Sequence, residues 1–292
     1  MAVIGVWSLV ISIYMFIGFK DEKRLVEAVA KAHGEKPFFA EVGFYRAGEM
    51  RVSSPAKASA KVSVVSDINE DPSSLFRVLL LAEALRRAGV KKLTLVAPWI
   101  AYGRQDRVTK KGESPAGLVV ARSLASAFDR IVTLDAHSPE FMKFFGGKLK
   151  NVLPLARVLP PAFRDMDVVV APDQGAIGRA RALATSLGVG YAVVRKNRLA
   201  NGVKSFMAKA DENKVQDKRI LLVDDMTDSG ATLAAAADVC RKAGAVSVKA
   251  AVTHAMDLDG LKRQQSKKFD GLFAGYDHQK VKIVEGVVKL LT

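Results

Sequence analysis

The chain is 292 residues long and 49% apolar, with one cysteine and a formal net charge of +15. That apolar share excludes a disordered chain, and the length suits one large or two modest domains. The lone Cys240 excludes a disulfide framework and a multi-cysteine zinc site, and it suits a reducing cytoplasm. The excess of Lys and Arg points to anionic partners. No zinc-finger spacing and no aromatic-studded basic stripe accompanies it, so phosphorylated small molecules are expected rather than nucleic acid.

At the N-terminus, residues 2–19 are almost wholly apolar and uncharged. The run falls slightly short of the roughly twenty residues a membrane helix needs, and it lacks the basic start of a signal peptide. Residues 13–19 read as a first strand, with Asp21 or Glu22 opening the next helix. Residues 1–12 read as an extension and not as a membrane anchor. A strand follows at 61–66. Asp71 and Pro72 have the form of an N-cap and first helical position, opening a helix through Leu75, Val78, Leu79, Ala82 and Leu85 that Gly89 closes. A strand at 93–97 ends in Pro98, a helix is expected over 115–128 and a strand over 131–134. Strands at 168–171, 191–194, 220–223 and 248–253 then alternate with helices, one of them over 233–243 with Cys240 buried on it.

This alternation predicts a parallel sheet with helices on both faces. The stretch "RRAGVKKLTLVAP" at 86–98 resembles "RKAGAVSVKAAVTH" at 241–254, each a helix end, a glycine and a strand. Two similar α/β domains, residues 1–150 and 151–292, account for the repetition.

Functional residues in such folds gather beyond the C-terminal ends of strands, and four strand ends here are polar. "RILLVDDMTDSGATL" at 219–233 packs Asp224, Asp225 and Asp228 before Ser229, Gly230, Ala231 and Thr232. Carboxylates suit sugar hydroxyls or a cation. Small and hydroxyl residues before a helix N-terminus suit a phosphate. A phosphorylated sugar satisfies both. "APWIAYGRQDR" offers Arg104, Gln105, Asp106 and Arg107, whose guanidinium groups can fork onto phosphate oxygens. "VTLDAH" offers Asp135 and His137, and "VVVAPDQG" offers Asp173. A histidine with carboxylates and no cysteine suits Mg²⁺ better than a closed zinc site. "VVRKNRLANG" at 193–202 has Arg195, Lys196 and Arg198 after a strand, and reads either as a mobile loop closing on a transferring phosphoryl group or as an exposed turn.

Taken in order, "AYGRQDR", "KKGESPAGLVVARSL", "VTLDAHSPEFMKFF", "VVAPDQGAIGRARALA", "VVRKNRLANGVKSFM" and "VDDMTDSGATL" resemble the signatures of the ribose-phosphate diphosphokinases, over about residues 15–254. The resemblance implies two phosphoribosyltransferase-like domains. It implies transfer of the diphosphoryl group of ATP to ribose 5-phosphate with Mg²⁺, in a cytoplasmic homo-oligomer, a dimer or a hexamer of dimers. By resemblance, Arg104 and Gln105 bind ATP, and His137 and Asp173 hold Mg²⁺. Lys196 and Arg198 are catalytic, Arg198 also meeting the ribose phosphate. Asp224, Asp228, Ser229, Gly230, Ala231 and Thr232 take ribose 5-phosphate. No Walker A pattern is present. The family's adenine-reading segment matches "YRAGE", so Ala47, Gly48 and Glu49 are assigned to ATP; alanine stands where the family has aspartate, which predicts weaker ATP-over-GTP discrimination. The region after His254 is short for the family and does not clearly match its last strand-loop segment. The alternatives are a non-catalytic homologue that binds or regulates a synthetase, and a phosphoribosyltransferase.

Overall fold

The computed structural model describes residues 15–55, 61–199, 202–265, 268–278 and 282–291. The expected extension at 1–12 lies outside them. Among the described residues no helix is long and apolar enough to cross a membrane.

The first half contains strands β1 Met15–Phe19, β2 Pro37–Phe44, β3 Met50–Ser53, β4 Lys61–Val65, β5 Lys92–Val96, β6 Arg130–Leu134 and β7 Leu149–Val152. Its helices are α1 Lys23–Ala32, α2 Pro72–Arg87, α3 Ala116–Ala127 and α4 Pro139–Lys143. The second half has helices α5 Leu155–Val158, α6 Pro161–Arg164, α7 Ile177–Leu187, α8 Lys209–Val215, α9 Ala231–Lys242, α10 Leu258–Gln265 and α11 Glu285–Val288. Its strands are β8 Val168–Ala171, β9 Gly190–Leu199, β10 Gly202–Met207, β11 Arg219–Thr227, β12 Ser247–Ala255, β13 Gly271–Asp277 and β14 Lys282–Ile283.

The two sheets run β3-β2-β1-β4-β5-β6-β7 and β10-β9-β8-β11-β12-β13-β14. The second order is the first with seven added throughout, so the halves share one strand order and differ in their last strand, which pairs parallel as β6–β7 and antiparallel as β13–β14. The repeated helix–glycine–strand joints fall at equivalent places, before β5 and before β12. Pairing is parallel inside both sheets and antiparallel for β2–β3, β9–β10 and β13–β14. The central strands are buried along their length, as β8 is at every residue, because helices cover both faces.

Local signals act as the sequence implies. The Asp71 carboxylate accepts a hydrogen bond from Ser73 N at 2.9 Å and Pro72 opens α2. Cys240 is fully buried, and burial pushes its thiol up to about 12. Gly18 lies within β1, where a Cβ would come 2.4 Å from Val65 O and 2.5 Å from Val26 Cγ2, so α1 can dock only on a bare backbone.

Several boundaries differ from the sequence reading, most by a residue or two. Lys20–Glu22 form a single 3₁₀ turn, and the α-helix begins only at Lys23. The strand expected over 191–194 extends to Leu199 and pairs with β10, Lys196 opposite Ser205 and Arg195 opposite Phe206. The expected basic loop is therefore one arm of a hairpin. Its charged residues end the apolar pattern but leave the backbone free to pair. The strand expected to stop at Val223 runs on to Thr227, held by parallel pairing with β12 as far as Thr227 opposite Ala255. Asp224 and Asp225 accordingly sit on a rigid strand.

Finally, β7 carries the first sheet past residue 150, to Val152. The chain's end also returns to the first half: Val287, Val288 and Leu291 share a buried cluster with Phe16, Leu25, Val26 and Val29. The segment after His254 thus supplies β13 to the second sheet and a cover for one face of the first.

Candidate active site

The C-terminal ends of β5 and β6 face those of β8 and β11 across the seam between the halves. A cavity of about 690 Å³ opens there. The first half lines it with Arg104, Asp106, His137 and Ser138, and the second with Asp173, Arg179, Asp224, Asp225 and residues 226–233.

The geometry is tightest around His137. Its Nδ1 lies 2.8 Å from Asp225 Oδ2. Against a carboxylate Nδ1 must be the donor, which leaves the Nε2 lone pair for a cation or a substrate proton. Burial would raise the Asp225 carboxyl, but the His137 hydrogen bond and the Arg179 charge together hold it below the usual carboxylate range. Asp224 goes the other way: burial first, then the charge of Asp225, pushes it well above. Two adjacent carboxyls with opposed protonation preferences are a poised pair that a cation or a set of hydroxyls would rebalance.

Arg179, on α7, supports this arrangement from beneath. Its Nε donates to Asp135 Oδ1 at 2.6 Å, and its Nη2 to the carbonyls of His137 at 2.9 Å and Ala136 at 3.1 Å. Thr253 Oγ1, on β12, donates to the other Asp135 oxygen at 2.7 Å. Burial, helped by the Asp225 charge, raises the Asp135 carboxyl above its usual range against the pull of the Arg179 charge, and a donor on each oxygen favours the carboxylate. Asp135 has φ of 44°, a left-handed conformation that costs on the order of 1–3 kcal/mol for a non-glycine residue. The second half therefore fixes the strained turn of the first half that presents His137.

The loop after β11 offers the anion site. Gly230, at φ 74°, is the N-cap of α9, a conformation that favours glycine. It turns the chain so that the backbone N–H groups of the first helical turn follow Asp228 and Ser229 directly, that of Ala231 lying 3.5 Å from Ser229 Oγ. Lys196 reaches the same place from β9: Nζ donates to Asp173 Oδ2 at 2.8 Å and lies 3.4 Å from Thr232 Oγ1. Asp173 is itself anchored, accepting from Gly175 N at 3.0 Å.

Of the residues singled out in the sequence, Arg104, His137, Asp173, Asp224, Asp228, Ser229, Gly230, Ala231 and Thr232 line this one cavity. The structure places Gln105 in a turn, its N–H donating to Tyr102 O at 2.9 Å. Arg198 lies on β9, with its side chain outside the described atoms. Ala47, Gly48 and Glu49 occupy the tip of the β2–β3 hairpin, closed by Tyr45 N to Glu49 O at 2.9 Å, beside the exposed rings of Phe44 and Tyr45. None of the three lines the cavity within one chain.

Arg179 and Thr253 were not legible as site residues. Nothing in "GAIGRAR" separates Arg179 from Arg181 except the helix phase that turns one of them toward the seam. Asp225 and Asp135 were visible as carboxylates but not as the partners of His137 and Arg179.

The donor set is hard: carboxylates and one imidazole. Among the described residues no three His, Cys, Asp or Glu side chains are grouped to enclose a metal. Such a set fits Mg²⁺, which keeps water and takes phosphate oxygens alongside one or two protein ligands.

Two α/β halves of one strand order, with an anion-binding loop of one facing an arginine and a histidine of the other, define a transferase of phosphorylated substrates. The chain matches a model of the N-terminal domain of ribose phosphate pyrophosphokinase over residues 14–127 and a phosphoribosyl transferase domain model over residues 159–285. It is 36% identical to a ribose-phosphate pyrophosphokinase of Thermococcus kodakarensis over 258 residues, 87% of this chain and 88% of that one. It is 31% identical to the Pyrococcus abyssi protein of the same name over 283 residues, 94% and 98% of the two chains. The crystal structure of phosphoribosylpyrophosphate synthetase from Mycobacterium smegmatis superposes with a TM-score of 0.75 at 27% identity, covering 90% of this chain and 87% of that one. The chain belongs to the ribose-phosphate pyrophosphokinase family.

Proposed function

We propose that this chain transfers the β,γ-diphosphoryl group of ATP to the anomeric hydroxyl of ribose 5-phosphate, releasing AMP and 5-phosphoribosyl 1-diphosphate. The observation that carries this reading is the cavity in which the 228–232 loop of one half faces Arg104 and His137 of the other, with Lys196 reaching two of its lining residues, Asp173 and Thr232. The anomeric oxygen bonds to the β-phosphorus as the bond to the α,β-bridging oxygen breaks. AMP leaves with that oxygen and the hydroxyl proton passes to solvent.

On this reading residues 228–232 take the 5-phosphate and the ribose, and Asp224 accepts from the ribose hydroxyls. Arg104 and Gln105 hold ATP. Lys196 and Arg198 stabilise charge on the transferring group, which is where most of the rate effect in phosphoryl transfer arises. Lys196 is paired with Asp173 at 2.8 Å, so it must exchange that carboxylate for phosphate oxygens as substrate enters. His137 and Asp173 are the residues that would hold Mg²⁺, which neutralises phosphate charge when bound. The hairpin tip at 47–49 lies away from its own cavity, and its exposed aromatic flank suits a neighbouring subunit. We therefore assign Ala47, Gly48 and Glu49 to the nucleotide site of a partner in a homo-oligomer. The division between halves falls at the link from β7 to α5, each half bringing one substrate. A lone cysteine and small phosphorylated substrates support a cytoplasmic location.

The test is incubation of the purified chain with ribose 5-phosphate, ATP and Mg²⁺, followed by phosphorus NMR. AMP and a new diphosphate ester are expected. ADP in place of AMP would mean a simple kinase, and no turnover would favour a regulatory homologue.

A further inference from the structure

The seam between the halves carries a second polar contact, away from His137. Asp67, just beyond β4, is 8% exposed and uses both carboxylate oxygens. Oδ1 accepts from Trp99 N at 2.8 Å, and Oδ2 accepts from the Tyr276 hydroxyl at 2.5 Å. Trp99 begins the segment of the first half that reaches Arg104. Tyr276 is on β13 of the second half and is 1% exposed. One carboxylate thus joins the backbone of the arginine-bearing segment to the other sheet.

The surroundings make the link directional. Ile68 N donates to Trp99 O at 2.9 Å and Ala101 N to Ile68 O at 2.7 Å, so residues 99–101 are laced to the strand end that carries Asp67. The Trp99 ring lies 4.8 Å from that of His254 and 5.5 Å from that of His278, both in the second half. Trp99, Ala101, Met226 and Tyr276 form one buried cluster. Met226 is two residues before Asp228 of the anion loop, and Trp99 five before Arg104. A cavity of about 670 Å³ adjoins this contact, and its lining includes Asp67, Trp99 and Tyr276 together with Arg104 and Asp228.

We propose that Asp67 and Tyr276 are positioning residues, a latch across the seam that sets the Arg104 segment of one half against the ribose-phosphate loop of the other. Neither touches the reacting atoms. Each half holds its own substrate, so the latch governs alignment and not affinity. Misplacing reacting groups by about 1 Å can cost on the order of a hundredfold in rate. The inference rests on the diphosphokinase reading for its kinetic arm only.

Tyr276→Phe removes one hydroxyl and keeps the ring. In the full-length protein kcat should fall at least about tenfold, with KM for ATP and for ribose 5-phosphate each within about twofold of wild type. Calorimetric titration with a non-hydrolysable ATP analogue should keep full stoichiometry, which a partly unfolded preparation would not. Asp67→Asn retains an acceptor for Trp99 N and a polar partner for Tyr276, and should lie far nearer to wild type than Asp67→Ala. Hydrogen exchange over residues 99–107 should rise in Tyr276→Phe, whatever reaction the enzyme catalyses. An unchanged kcat, a loss of kcat matched by a loss of binding stoichiometry, a change confined to KM, equal damage in Asp67→Asn and Asp67→Ala, or unchanged exchange over 99–107 would each overturn the latch. Wild-type protein that releases no AMP would instead overturn the diphosphokinase reading, and the exchange measurement would still decide the latch.

Discussion

Replacing Arg179 by Met leaves Asp135 in its buried place without its counter-ion. The guanidinium is 11% exposed on its side chain and the Asp135 carboxylate 3%. Besides Asp135, the arginine donates to the carbonyls of residues 136 and 137, and its Nη2 lies 3.5 Å from Asp225 Oδ2. Breaking one side of a buried ion pair costs about 3–5 kcal/mol, because the charge left behind is neither paired nor hydrated. At about 2.1 cal/mol/K per residue, a chain of this length unfolds with an entropy of about 0.6 kcal/mol/K, so the loss corresponds to a melting temperature lower by about 5–8 °C. Differential scanning calorimetry at pH 7 measures it. Repeating the change in an Asp135→Asn background should cost much less, because the uncompensated charge is then absent. A melting temperature within 1–2 °C of wild type, or two effects that simply add, would refute the claim that Arg179 holds the His137 turn through Asp135.

Three further outcomes follow from the site and the seam. Lys196→Ala should lower kcat at least about a hundredfold while ribose 5-phosphate affinity changes little, since it removes a preorganised charge from the transferring group; steady-state kinetics with unchanged kcat would take the β9–β10 hairpin out of the mechanism. Ala47→Asp should raise the ATP-over-GTP ratio of kcat/KM about tenfold by adding an acceptor for the adenine amino group, and a wild type that already rejects GTP by orders of magnitude, with no change in the variant, would remove the hairpin tip from nucleotide reading. Burial lowers the pKa of His254 to about 4, against the opposing pull of the Leu134 carbonyl. The unfolded chain therefore takes up a proton near pH 6.5 that the folded chain refuses until about pH 4, and stability present above 6.5 is lost on the way down, by about 3 kcal/mol. Urea unfolding at pH 7 and pH 4.5 should show a smaller acid loss in His254→Gln than in wild type, and equal losses would sink the assignment.

Hydrophobic patterning revealed the central strands because both faces of each sheet are covered, and the capping signals at Asp71 and Pro72 are chemically specific. The anion loop was readable for the same reason: small and hydroxyl residues before a helix have few other uses. The extent of β9 was not readable, since a hairpin arm in water can carry Arg195, Lys196 and Asn197 without any apolar repeat. Nor was the course of the C-terminus. Val287, Val288 and Leu291 look like any short apolar group until they are seen lying on α1. The seam partners were the hardest. Asp67 with Tyr276 and Asp135 with Thr253 are separated by over a hundred residues, and a pairing of that kind leaves no local trace.

The paired topology has a consequence for how such an enzyme can change. The hairpin β2–β3 and the hairpin β9–β10 stand at the same station of their respective sheets. One brings Lys196 to Asp173 and Thr232 at the cavity of its own chain; the other turns Ala47 and Glu49 outward beside Phe44 and Tyr45. A duplicated structural unit provides two arms and no obligation to use them alike. One can be retained for chemistry while the other is released to read a different molecule or to meet a neighbouring subunit. Selectivity and assembly can then drift at the first arm without disturbing the charges that the second holds over the reaction.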